Sequence, residues 1–266
     1  MKLSGHALKI LIPIQVLAIT LGIYFFETQY LWYMLLGWIL ISGYGVALGY
    51  HRLLSHRAFK CWGWAEKLMS WLAVMSGQGS PLFWVAVHRG YHHRYSDQEK
   101  DLHSPISHSK WDAYMGWIFK FKPESITLKS ATDMMRDDYQ RMLHEWYYSI
   151  FWGSLIIIAL IDPMVALYMF LIPAAYSHHE IGAVNILGHA PEYGYRNFKT
   201  KDQSSNFWLL GFFGWGQGYH NNHHAKPKTY DYGERWFEWD WCKLLVLPVK
   251  SNFSGNITDI DNSAMK

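Results

Sequence analysis

Histidines gathered in three short clusters are the residues of this sequence best suited to chemistry. The clusters are HRLLSH (51–56), HRGYHH (88–93) and HNNHH (220–224). Together they hold eight histidines, too many for one zinc ion, which takes four ligands in a structural site. Imidazole binds iron, zinc, copper and nickel well. The clusters therefore predict two metal ions with histidine-rich coordination.

Helical spacing predicts how each cluster presents its side chains. In an α-helix, where each residue turns by about 100°, the three histidines of 220–224 share one face. His88 and His92 also share a face, with the last histidine of that cluster displaced around the helix. His51 and His56 lie about 140° apart on an ideal helix. They are poorly placed to hold one ion together but could serve two neighbouring ions, which favours one dinuclear centre over separate sites.

A ninth histidine lies outside the clusters. His189 follows Asn185 by four residues, so both lie on one face at the inner end of an apolar segment. Polar side chains there are costly unless they have a function, and we predict His189 as a further metal ligand. A single histidine near a membrane is otherwise an ordinary interfacial side chain.

Composition indicates a membrane protein. Half of the 266 residues are hydrophobic and 15 are Trp, a residue that concentrates at membrane–water interfaces. The formal net charge of +3 gives no support for nucleic-acid binding. Cys61 and Cys242 have no CxxC spacing, so no disulfide framework or thiolate metal site is predicted.

Four apolar segments predict membrane helices at about 8–27, 31–50, 146–161 and 164–188. A signal peptide is the competing interpretation of the first. Its apolar run is long for that role, no small-residue cleavage site follows, and a second apolar segment begins at once. Between the last two segments, Pro163 interrupts the helix.

Charge placement predicts the orientation of these helices. All 24 Lys and Arg fall in 1–9, 51–145 and 180–266, so both termini and all three clusters are expected in the cytoplasm. The fold expected is an all-α integral membrane protein, with four transmembrane helices in two hairpins. A cytoplasmic helical cap (51–145 and 189–250) would hold the metals, and 251–266 would be a polar tail. The whole chain would form one domain, in a bacterial inner membrane or the endoplasmic reticulum.

Further motifs carry a resemblance. HRLLSHRAFK, HHRYSD followed by DLHSP, VNILGH and GYHNNHHA resemble the membrane fatty acyl desaturases, specifically the stearoyl-CoA (delta-9) type. The similarity runs from about Ile41 to Trp241. In that family three histidine boxes hold two irons, which use O₂ to convert a saturated acyl chain to a cis-unsaturated one.

The resemblance also implies roles for individual residues. Asn185 would hold a water on one iron, Gln78 and Trp84 would line the acyl tunnel, and Leu35 and Ile39 would limit its depth. The iron ligands implied are His51, His56, His88, His92, His93, His189, His220, His223 and His224.

Two departures from the family pattern accompany it. The second box reads HxxxHH where this subgroup has HxxHH, and Gln217 stands where an acidic residue is usual. No cytochrome-b5-like HPGG segment occurs in the sequence, so a separate ferredoxin, rubredoxin or cytochrome b5 would supply electrons. The acyl carrier is left open among coenzyme A, acyl-carrier protein and a membrane glycerolipid.

Two alternatives belong to other classes. Membrane hydroxylases and ketolases of alkanes, sterols or carotenoids also use clustered histidines, and their product carries oxygen in place of a double bond. A membrane protein that binds zinc or haem for structure or sensing would consume no O₂.

Overall fold

The computed structural model describes residues 3–251, and helices dominate this part of the chain. Two long helices come first, α1 (Ala7–Tyr24) and α2 (Thr28–Ser55). The others are α3 (Gly63–Val74), α4 (81–95), α5 (112–120), α6 (Asp138–Glu145), α7 (Tyr147–Ile161), α8 (163–187), α9 (Trp208–Phe213), α10 (His220–Ala225) and α11 (Cys242–Leu245). Extended pairing within 3–251 is limited to isolated bridges such as Tyr195 with Asn206. The fold is therefore all-α, while residues 252–266 of the predicted tail lie outside the described part.

Apolar helices mark this as a membrane protein. Both α1 and α2 are long and apolar enough to cross a bilayer, and α6 with α7 would add a third span if that bent pair crosses as one. The bend between α6 and α7 is 82°. At the far end of α7, Leu160 and Ile161 are 82% and 80% exposed. Large apolar side chains exposed in this way fit a lipid surface.

Wide helical turns carry the first two histidine clusters. Helix α2 continues past its predicted end at Tyr50, and from Ile39 to Ser55 it is wound as a π-helix. Helix α4 has a π-helical turn at His88–His92. A π-helix bonds each N–H to the carbonyl five residues earlier and is frequent at functional sites. Residues five apart therefore lie above one another in both segments.

Glycines bring α2 close to its neighbours. A Cβ on Gly45 would lie 2.8 Å from the backbone of α3, and one on Gly37 would lie within 3 Å of the backbone of α8. Two hydrophobic clusters result. One joins α1, α7 and α8 through residues such as Ile14 and Phe151. The other surrounds the C-terminal half of α2 and packs against the helices that carry the first two histidine clusters.

Candidate metal centre

Nine histidines converge in two adjacent groups, eight of them from α2, α4 and α10 and the ninth from the segment that follows α8. Within each group, one nitrogen from every side chain lies within 4.8 Å of the others. The first, the five-histidine group, consists of His51, His56, His88, His93 and His223. The second, the four-histidine group, consists of His92, His189, His220 and His224. The structure thus brings together all nine histidines that the sequence singled out.

The π-helical turns decide which histidines share a group. His51 and His56 lie on one face of α2, and the His56 N–H donates to the His51 carbonyl at 3.1 Å. His88 and His93 are related in the same way in α4. Two expectations therefore differ from the structure, because His51 and His56 fall in one group and His88 shares its group with His93 and not with His92. Both rested on α-helical winding, which the chain does not adopt there.

The third cluster lies between the two groups. Helix α10 directs His220 and His224 to the four-histidine group and His223 to the five-histidine group. His189, just beyond α8, completes the four-histidine group, where its Nε2 lies 3.1 Å from His220 Nε2. A short α-helix with histidines at spacings of three and four can therefore contribute to both groups at once.

Two nitrogen lone pairs in the four-histidine group face each other in a geometry that suits a bound cation. The Nδ1 atoms of His92 and His224 lie 3.1 and 2.9 Å from the carboxylates of Asp101 and Asp202. A carboxylate only accepts hydrogen bonds, so both Nδ1 atoms carry the proton. The Nε2 atoms of these two neutral rings then face each other as bare acceptors at 3.2 Å. Nitrogens bound at right angles to one ion at about 2.1 Å would lie about 3 Å apart, so the pair fits a shared metal.

The five-histidine group shows the same close approach. His56 Nε2 lies 2.8 Å from His88 Nε2, and His93 Nε2 lies 2.8 Å from His223 Nε2. Burial, together with the charges of neighbouring histidines, holds the pKa of His88, His93 and His223 well below the usual range. These rings are therefore neutral at physiological pH, which is the form that binds a metal.

A buried cavity reaches both groups. Gln78, Trp84 and Asn185 line it, and that it is the acyl tunnel stays a prediction. Trp84 stacks against His88 with ring centroids 4.9 Å apart. Its Nε1 donates to the Gln78 side chain at 3.2 Å, and Gln78 in turn donates to Ser177 at 3.2 Å. A chain of side-chain hydrogen bonds therefore fixes an indole beside the five-histidine group.

The remaining predicted residues are Asn185, Leu35 and Ile39, and only Asn185 lines this cavity. Asn185 donates to the Ala113 carbonyl at 3.0 Å. Leu35 lies in a separate groove between α2 and α8, where Tyr176 and Phe213 are also found. Ile39 packs against the hydrophobic cluster around the C-terminal half of α2. The water bound by Asn185 and the depth limit set by Leu35 and Ile39 stay predictions.

Sequence reasoning missed the carboxylates behind the four-histidine group. These are Asp97, Asp101 and Asp202. The first two follow the second histidine cluster within ten residues, a signal that could have been used. Asp202 has no such signal, because the loop between α8 and α9 brings it to His224.

Comparison with known proteins agrees with this geometry. The family model described as fatty acid desaturase matches residues 30–236. The chain is similar to delta-9 acyl-lipid desaturase 2 of Arabidopsis thaliana, with 32% identity over 91% of this chain and 75% of the relative. It is also similar to sn-1 stearoyl-lipid 9-desaturase of Anabaena variabilis, with 30% identity over 81% and 79%. A third relative is acyl-CoA 5-desaturase AL21 of Anemone leveillei, with 28% identity over 88% and 73%. The chain is an oxidoreductase that acts on fatty acyl chains, and it belongs to the fatty acid desaturase family.

Proposed function

We propose that this enzyme uses O₂ to introduce a cis double bond at the delta-9 position of a saturated fatty acyl chain. The observation that carries the proposal is the pair of adjacent histidine groups at the wall of one buried cavity. Delta-9 specificity is supported by relatives named as delta-9 acyl-lipid and 9-desaturases. Because these named relatives are desaturases, the hydroxylase alternative is less favoured.

Two irons are the metals proposed for these groups. The five-histidine group would hold one ion and the four-histidine group the other, with Asn185 holding a water on the second. When bound, the irons would supply the oxidising power to remove two hydrogens from unactivated methylenes, which no side chain can provide. The neutral, buried histidines would bind the ions without adding negative charge of their own.

The side chains around the cavity would position the acyl chain. Phe83, Trp84, Trp117 and Phe121 give it aromatic walls beside the histidines. Gln78 fixes the Trp84 indole through a hydrogen bond. An acyl chain held against such a wall would present one carbon–carbon bond to the metals and exclude water from it. Rate and bond position would then depend on this placement.

The membrane arrangement proposed has four spans, namely α1, α2, α7 and α8. Both termini and the histidine groups would then face the cytoplasm, in a bacterial inner membrane or the endoplasmic reticulum. Residues 1–266 would form a single desaturase domain. An external ferredoxin, rubredoxin or cytochrome b5 would deliver electrons to the cytoplasmic side, and the acyl chain would enter from lipid, coenzyme A or carrier protein.

Fatty acid analysis tests the proposal. The chain and its His220→Ala variant would be expressed, with an electron donor, in a host that lacks its own desaturase. Gas chromatography and mass spectrometry of methyl esters should reveal a new monounsaturated acid with the unaltered chain only. Mass spectra of the dimethyl disulfide adducts of the alkene would locate the double bond. A hydroxylated lipid in place of an alkene would refute the proposal and support the hydroxylase alternative.

A further inference from the structure

Carboxylates are distributed unequally around the two histidine groups. The Nδ1 atoms of His92, His189 and His224 lie 3.1, 2.9 and 2.9 Å from carboxylate oxygens. In the order of those histidines, the carboxylates belong to Asp101, Asp97 and Asp202. Within residues 3–251, none of the histidines in the five-histidine group lies within ion-pair distance of a carboxylate. The four-histidine group therefore has three carboxylates at its Nδ1 atoms, and the five-histidine group has none.

Each of two carboxylates is held in place by further contacts. Asp97 has a φ of 63°, a left-handed conformation that costs free energy for most residues but is tolerated by Asp and Asn. Its oxygens also accept from Ser104 Oγ at 3.2 Å and from the Gln203 N–H at 2.5 Å. Asp202 accepts from Thr200 Oγ1 at 2.7 Å and from Ser204. These contacts orient the acids before any metal is bound.

The five-histidine group has cationic neighbours instead. Arg89 and Arg52 are the arginines whose charges act on His56. Each is paired with its own carboxylate, Arg52 with Asp240 at 2.7 Å and Arg89 with Asp133 at 2.9 Å. The surroundings of this group are thus close to neutral, while those of the four-histidine group are anionic.

We infer that Asp97, Asp101 and Asp202 are positioning residues for the metal of the four-histidine group alone, and that they make the two metal sites unequal in affinity and electronic character. The inference rests on the proposed function, which places one ion in each group. Asp101 and Asp202 accept from the far nitrogens of His92 and His224, which fixes these rings and raises the basicity of their ligating nitrogens. Asp97 lies within ion-pair distance of His189 Nδ1 but without the geometry of a hydrogen bond. Negative charge close to the site also stabilises a bound cation directly.

Metal titration separates this role from a structural one. Purified protein stripped of metal would be titrated with Co²⁺ against a competing chelator, and the unaltered chain should bind two ions. Asp202→Asn keeps the size of the side chain and an acceptor oxygen but removes the charge. We expect it to weaken one of the two sites by about 10- to 100-fold, and to leave the other within about twofold.

A second variant guards against misfolding as the explanation. Asp97→Asn, which suits the left-handed conformation at that residue, should weaken the same site although it lies about a hundred residues away in sequence. His56→Ala should weaken the other site. Asp138→Asn, at a side chain 89% exposed, is the matched control and should alter neither.

Iron spectra identify the affected site without an activity assay. With ⁵⁷Fe in both sites, the Mössbauer spectrum of Asp202→Asn should change in one of two components and that of His56→Ala in the other. Equal weakening of both sites, or of neither, by Asp202→Asn and Asp97→Asn would overturn the inference and leave the desaturase proposal standing. An unaltered chain that binds fewer than two ions would instead refute the two-iron centre itself.

Discussion

Proton placement on individual imidazoles suits these histidines to bind a metal ion better than to hydrogen-bond with one another. His92 and His224 both donate from Nδ1 to carboxylates. Their Nε2 atoms therefore have only lone pairs to offer each other. Burial disfavours a second proton on either ring, because a charged imidazolium would lose its hydration. A divalent cation between the rings relieves this repulsion.

His189 gives the sharpest test of a single ligand, since it lies outside the three clusters. We expect His189→Ala to remove one of two metal equivalents and to lower acyl conversion by at least about 100-fold, because the site loses one of its four protein ligands. Metal content by mass spectrometry and fatty acid analysis would measure both effects. His108→Ala is the control, because that side chain belongs to neither histidine group and hydrogen-bonds to the Glu99 carbonyl at 3.1 Å. Two metals retained in His189→Ala would contradict the assignment.

Gln78 offers a test of substrate placement. Gln78→Leu keeps the approximate volume but removes the bonds to Trp84 and Ser177. The freed indole should allow the acyl chain to shift, giving double bonds at neighbouring positions and a loss in rate of roughly tenfold. Derivatised methyl esters would report the positions.

Ser154→Ala is a suitable control for Gln78→Leu. It removes the acceptor of another tryptophan, Trp71, whose Nε1 donates to Ser154 Oγ at 3.1 Å away from the cavity lining. This variant should leave the products unchanged. An unaltered product pattern in Gln78→Leu would show that the Gln78–Trp84 bond does not position the chain.

The sequence could predict which histidines matter but not how they divide. Side-chain type and clustering single out eight of the nine, because few other roles require so many imidazoles, and the cost of a polar side chain at the end of an apolar segment points to His189. The division depends on backbone winding, and hydrophobic periodicity does not distinguish α from π turns over five residues. Asp202 was beyond prediction because its contact with His224 depends on the path of a loop.

At the scale of elements, the π-helical turns in α2 and α4 perform the same task. Each brings residues five apart onto nearly the same face, so His51 with His56 and His88 with His93 lie in one group. The extra residue in the second cluster is accommodated by this wider turn. In α10, the α-helical spacing instead divides the histidines between both groups. The winding of each helix thus influences which of the two groups its histidines join.

Close packing of α2 against α8 holds these elements in register. Gly37→Ala would place a methyl group within 3 Å of the Met169 carbonyl carbon and oxygen, and backbone atoms cannot move aside easily. We expect a loss of about 2 kcal/mol in stability, seen as a lower thermal unfolding temperature in detergent.

Gly153→Ala is the matched control, because a Cβ there has no neighbour within 4 Å. It should leave the unfolding temperature unchanged or raise it slightly, since Ala favours a helix over Gly. Equal effects of the two substitutions would show that α2 and α8 do not depend on this close contact.

At the scale of the whole molecule, a buried ion pair joins the first and last parts of the fold. Arg52 and Asp240 are both fully buried and lie 2.7 Å apart. The same guanidinium donates to the carbonyls of Ala47, Trp215 and Tyr230 at 3.0 Å. Because Arg52 follows His51 directly, this network ties the first histidine cluster to the segment after the third.

Breaking this pair should be severe. Asp240→Asn leaves a buried guanidinium without its counter-charge, which costs about 3–5 kcal/mol. For a chain of this size, that corresponds to a fall in unfolding temperature of roughly 10 °C. Glu234→Gln is the comparison, because its pair with Lys226 is solvent-exposed and contributes less than about 1 kcal/mol. Similar unfolding temperatures for both variants would argue against a structural role for the buried pair.

The number of membrane crossings can be decided from the turn at Asp162. Helices α1 and α2 are long and apolar enough to cross, so with the proposed orientation a phosphatase reporter inserted after Gln29 should be active outside the cytoplasm. If α7 and α8 form a second hairpin, a reporter inserted after Asp162 should be equally active, because no Lys or Arg lies near that turn to retain it inside. With the proposed orientation, a reporter inserted between Pro123 and Ser125 should be inactive, since this segment would lie on the cytoplasmic side whether the chain has two spans or four. Activity after Gln29 but not after Asp162 would leave a protein with one spanning hairpin, and α7 and α8 would then lie against the cytoplasmic face.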